Sequence, residues 1–363
     1  MNTDDAASPT ARLEPSRLAR LRSRLPKRFR VLGPGMALYL VSPIVAELCI
    51  GATPWFSYIF FGWMLSLMYG GGAILIREAA VRWNKGWPTI LTLGIAYAIA
   101  EEGVAVRTFF DRTAPALQPI GDFGWAGGVN WVWSINLSIY HAVFSIAIPI
   151  FLVMLAYPRR RTEPWVSSRW LKKATVGYVG VIAFWLVVYK RPVDGGYIVA
   201  SLAAIALLVW IARLLPRDLR LPFAALPGRV PAQDGPRAPT PRRVAIVAFA
   251  ATFWVFAFQI FRGIGTSMLV SSIAMPVIAG VAGWWFVRGS RRAGWSDRHR
   301  YAIAAGIFAF SPAFSVLMEL AGLRGQLIVG IATAYLIRRT WRRVREREAE
   351  TGDPRTGDVA AAA

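Results

Sequence analysis

The feature that most constrains this chain is a succession of apolar blocks, each about as long as a bilayer is thick. Blocks of about 20 apolar residues, at about 1.5 Å rise each, match a hydrocarbon core of about 30 Å. They account for a composition that is 55% hydrophobic over 363 residues, with mean hydropathy +0.43. Open backbone cannot face lipid, so each block is expected to be helical. The expected fold is therefore all-α, a polytopic transmembrane bundle of about ten spans. The blocks fall at 32–52, 55–76, 87–110, 131–157, 174–190, 196–215, 244–262, 264–287, 301–321 and 325–341. Spans five and six are divided only by Lys190, Arg191 and Pro192.

The net charge of +22 orients this layout. With both termini cytoplasmic and the spans alternating, the inner segments hold 36 of the 42 Lys and Arg residues. The outer side keeps Arg107, Arg112, Lys190, Arg191, Arg262 and Arg324. That asymmetry is what the positive-inside rule requires, and it predicts a multi-pass protein of the bacterial inner membrane. A pI near 11.2 could signal nucleic-acid binding, but here the basic residues serve topology and contact anionic lipid, so no nucleic-acid partner is expected.

Five sections follow: a basic cytoplasmic tail (1–31), a six-span bundle (32–215), a Pro/Arg-rich cytoplasmic linker (216–243), a four-span bundle (244–341) and a cytoplasmic tail (342–363). Leu13, Leu18, Leu21 and Leu25 in the first tail have loosely helical spacing suited to a membrane surface. No cleavable signal peptide is evident, and Cys49 reads as a small buried hydrophobe. SIAIPI (145–150) is echoed by SIAMPV (272–277), a faint sign of duplication. The outer loop 111–130 has the Gly, Pro and Trp content of a compact cover or of an interfacial connector.

Against this apolar background stands AIAEEGVAVRTFFD, residues 98–111. Charged groups at membrane depth are expensive and face a protein interior or a wet cavity. Helical rise places Glu47 and Glu101 about 21–22 Å from the inner edge and His141 near the midplane. Ser134, Ser138, His141 and Ser145 share one face of span four. Together Glu47, Glu101, Glu102, His141 and Glu319 outline a polar cavity open to the outside. Adjacent carboxylates in low dielectric do not both stay charged without a nearby cation. Neighbouring residues on an α-helix point about 100° apart, so one glutamate is expected to face His141 and the other to turn away. Ala98 and Ala105 favour Glu102 for the facing role, with Arg107 snorkelling outward toward Asp111. In YGGGAILIREAAVRW, Gly70, Gly71 and Gly72 should allow close helix approach, and Glu78 with Arg82 forms an i,i+4 pair.

The stretches YGGGAILIREAAVRWNKGWPTI, AYAIAEEGVAV and HAVFSIAIPI resemble a group of uncharacterised actinobacterial multi-pass membrane proteins. More distantly, Glu-Glu followed by Arg, then His on the next helix, is similar to the CAAX-protease and bacteriocin-processing (CPBP) family. That resemblance implies an intramembrane hydrolase in which Glu101 and Glu102 match the acid pair and His141 the first histidine, with a divalent metal such as zinc. The chain departs from the family pattern at three points. Arg107 follows Glu102 by five residues where the family motif has four, Leu137 replaces a phenylalanine, and His299 lies in the cytoplasmic run GWSDRHR. A zinc site takes about three protein ligands, so a carboxylate such as Glu47 or Glu319 would have to complete it. Two other readings use the same residues. One is a proton- or cation-coupled carrier, and the other a scaffold in which Glu–His bonds lock helices together.

Overall fold

The computed structural model describes residues 32–115, 117, 121–189, 193–216, 236–260 and 266–350, without the side chains of 258–260 and 347–350. The leucine-bearing N-terminal tail, Lys190 to Pro192, Arg262 and most of the linker lie outside these residues.

Apart from a 3-10 turn at Pro158–Arg160 and one hairpin, the described regular structure is helical. In chain order the helices are α1 (Pro34–Leu48), α2 (Trp55–Arg82) and α3 (Trp87–Ala98, continued by Ile99–Ala105). After the hairpin of β1 (Trp125–Ala126) and β2 (Val129–Asn130) come α4 (Trp131–Ala156), α5 (Ser168–Val188) and α6 (Gly195–Leu214). The last four are α7 (Pro241–Ile260), α8 (Met268–Ser290), α9 (Asp297–Leu320) and α10 (Gln326–Glu350). Helix thus occupies every stretch marked as a candidate span. Six of these helices (α2, α4, α5, α6, α8 and α9) are long and apolar enough to cross a membrane.

Local chemistry sets the helix starts. Asn130, Ser167, Asp194 and Ser267 each accept a backbone N–H of the first turn that follows them. Ser296 and His299 close a reciprocal capping box on α9, and His299 stacks on Trp295 at 4.8 Å. The second histidine therefore belongs to a helix cap.

Helix α3 is central, packed by α2, α4, α5 and α6, while α8 lies against α4, and α7, α9 and α10 pack in series. Helices α5 and α6 turn most of their apolar surface outward, as Val176, Val187, Leu202 and Trp210 show. In water such a surface would be unfavourable; in a bilayer it is the lipid contact.

Glycines allow the tightest crossings. A Cβ on Gly94 of α3 would stand 2.7 Å from Ala142 Cα on α4, one residue from His141. Gly70 lies against the backbone of Tyr39, and Gly72 leaves room for the Tyr97 ring. Close approach at the triple glycine is therefore found at these two residues.

Below these crossings, Glu78 accepts from Arg82 Nε at 3.1 Å, the expected i,i+4 pair, and also from Arg77 Nη1 at 2.7 Å. It further accepts the Trp165 N–H at 2.7 Å, so it ties α2 to the segment after α4. Arg77, 1% exposed, lies 3.7 Å from the Trp165 ring centre and donates to the Arg161 carbonyl.

Candidate functional site

The α-helical hydrogen-bond pattern gives way to a π-helical turn in each of α1 to α4. The turns are Ile44–Leu48, Ser66–Gly70, Ile99–Ala105 and His141–Ala147. Each carries a polar residue of one cluster: Glu47, Tyr69, the Glu101–Glu102 pair and His141. π-Bulges are rare and concentrate at functional sites.

The wider turn changes the expected geometry. The i→i+5 bond from Val106 N–H to the Glu101 carbonyl, 2.8 Å, spreads more residues round the turn than an α-helix does. Adjacent side chains then diverge by less than 100°, and both glutamates reach His141. Glu101 Oε2 lies 3.4 Å from His141 Nδ1, and Glu102 Oε1 lies 3.4 Å from Nε2. The expectation that only one would face the imidazole is corrected.

Each of the three side chains is held through one atom by a hydroxyl. Glu101 Oε1 accepts from the Tyr69 hydroxyl at 2.6 Å, and Glu102 Oε2 accepts from the Thr108 hydroxyl. His141 Nδ1 meets Ser145 Oγ at 2.9 Å, one α-turn along the polar face read from the sequence. Among the described residues, the buried Glu101 Oε2 and His141 Nε2 have no hydrogen-bond partner. One ligand atom from each of Glu101, Glu102 and His141 lies within 4.8 Å of the others. Ligands about 2.0–2.2 Å from a tetrahedral zinc stand about 3.3–3.6 Å apart, a range that includes the Nε2–Oε1 separation. Two carboxylate oxygens and one imidazole nitrogen are donors of the type a divalent ion takes, with Glu102 on the Nε2 side of the ring and Glu101 on the Nδ1 side.

Glu47 joins the cluster through Tyr69, whose hydroxyl lies 2.5 Å from Glu47 Oε1, while Thr53 donates to Glu47 Oε2 at 2.6 Å. A phenol has one hydrogen, so it can donate to only one of its two carboxyl neighbours at a time. The rings of Tyr69 and Tyr97 flank His141, with centroids 6.2 and 5.8 Å from it.

The match of a family model described as an uncharacterized membrane protein family extends over residues 36–337. The chain belongs to that family. No curated protein and no solved structure matches it. The family match runs from the start of α1 into the first half of α10, so it contains every residue of the cluster.

Two further sequence expectations do not hold. Glu319 stands apart from the cluster and accepts the backbone N–H groups of Gly325 and Leu327, both at 3.0 Å, capping α10. Arg107 is buried at 7% exposure instead of snorkelling to the surface. It ends α3 in a left-handed conformation, φ 58°, and donates to the Leu186 carbonyl at 3.2 Å. The last carbonyls of a helix lack intrahelical donors, and this one in α5 supplies a partner inside the protein.

Sequence reasoning missed Tyr69, Tyr97, Thr53 and Thr108. Tyr69 directly precedes the triple glycine, and Thr108 follows Arg107, but neither has a charge to set it apart in an apolar block.

Proposed function

We propose that Glu101, Glu102 and His141 form the metal-binding centre of an intramembrane hydrolase, similar in plan to the CPBP family. The observation that carries this reading is the convergence of the three side chains, each fixed by a separate hydroxyl, with Glu101 at Nδ1 and Glu102 at Nε2 of the same buried imidazole. Second partners of this kind orient metal ligands and tune their basicity. A divalent ion held there would supply Lewis acidity and lower the pKa of a bound water. Glu101 and His141, both 3% exposed, hold that position. Glu102, whose side chain is 12% exposed, would complete the ligand set through Oε1, since Thr108 occupies Oε2.

The 36-to-6 distribution of basic residues supports about ten spans in the bacterial inner membrane, with both termini cytoplasmic and the basic segments against anionic lipid.

Metal analysis of the purified full-length protein tests the centre. About one divalent ion per chain is expected, lost in His141→Ala and in Glu101→Gln. Metal-free protein whose proton- or sodium-coupled flux is abolished by Glu102→Gln would replace the hydrolase with a carrier. Metal-free protein in which the substitutions lower only the unfolding temperature would leave a scaffold.

A further inference from the structure

A second feature lies on the side of α4 away from His141. Helices α3, α4, α7, α8 and α9 enclose an apolar groove of about 460 Å³. It exists because α7 and α8 present small residues there. Ala248 and Ala251 face Ala279, Gly280 and Gly283, and a Cβ on either glycine would meet nothing within 4 Å. Along α8 the lining runs from Met275 to Val287, about 18 Å by helical rise. Half of a hydrocarbon core is about 15 Å, so the groove spans about one leaflet.

The two ends differ. The inner end closes on the Tyr140 ring, which stands edge-on to His141 with centroids 5.3 Å apart. The other end opens beside Trp284, 59% exposed, with the Arg288 guanidinium 5.6 Å from its ring centre. Arg288 and Arg291 are both exposed there, at the foot of α8. An apolar slot one leaflet long that ends at exposed arginines has the shape and charge of a single lipid with a negative headgroup.

We infer that this groove is a binding site for one anionic phospholipid, with an acyl chain between α4 and α8 and its phosphate at Arg288. On the proposed topology this is a lipid of the cytoplasmic leaflet. The site stands whether or not the Glu–His centre binds a metal, because it shares no ligand with it.

The full-length protein is placed in nanodiscs of equal phosphatidylglycerol and phosphatidylcholine with identical chains, then released for native mass spectrometry. One phosphatidylglycerol should stay bound after bulk lipid is stripped. Gly283→Leu, which fills the groove where space is open, should reduce that retention severalfold without moving the unfolding temperature. Gly280→Leu provides the same test if Gly283→Leu folds poorly. Arg288→Gln should lower the preference for phosphatidylglycerol about fivefold, the effect of one basic side chain at an anionic lipid surface. Equal retention of both lipids by the wild type, or retention unchanged by both leucine variants, would overturn the inference.

Discussion

Tyr69→Phe removes one oxygen and leaves the ring in place, so its effect can be worked from the geometry. The Tyr69 hydroxyl lies 2.5 Å from Glu47 and 2.6 Å from Glu101, and the residue is 4% exposed. A hydrogen bond to a charged group contributes about 1.5–3 kcal/mol. Counting two such bonds would double the loss, but the hydroxyl has one hydrogen and can donate to one carboxylate at a time. The expected loss is therefore that of a single bond, about 1.5–3 kcal/mol. If Glu101 is a ligand, part of that loss appears as metal affinity, since removing a second partner of a ligand typically costs 10–100-fold. The assay is zinc competition against a chromophoric chelator, with thermal unfolding of the metal-free protein in parallel. Wild-type zinc affinity in the variant would refute the idea that Tyr69 aims Glu101 at an ion. Lower stability without any change in affinity would make the hydroxyl a structural link between α1, α2 and α3.

Three further outcomes are expected. Glu78→Ala leaves Arg77 buried and without its carboxylate, so stability should fall by about 3–5 kcal/mol, visible as a large drop in unfolding temperature or in yield; an unchanged midpoint would show that the Trp165 stacking and the carbonyl contacts suffice. Gly94→Val forces a side chain against Ala142 and should separate α3 from α4, so metal binding should fall along with stability; wild-type metal content would mean that the helices can part without moving His141. Reporter fusions at residues 120 and 230 should give periplasmic and cytoplasmic signals, and a cytoplasmic signal at 120 would refute the topology.

Helix placement was legible because apolar length is a coarse signal that survives small errors at the ends, and every apolar block holds a helix. The candidate site was legible in part. Glu101, Glu102 and His141 stood out because ionisable groups are costly inside an apolar segment, and helical rise put them at similar depth on consecutive spans. What the pattern could not show was the π-helical turns. They change a hydrogen-bond register without changing composition, and that register lets both glutamates reach one imidazole. The same turn carries Glu47 in α1 and Tyr69 in α2, so four neighbouring helices depart from the α-helix where their polar residues meet. A turn of this kind gives up regular backbone geometry, and packing alone has no need of four at one place. A cluster whose side chains must converge does need them, because each extra residue turns a side chain inward that an α-helix would point elsewhere. Glu319, on α9, shows the contrast: it lies in an ordinary α-helical turn, and its carboxylate caps the next helix.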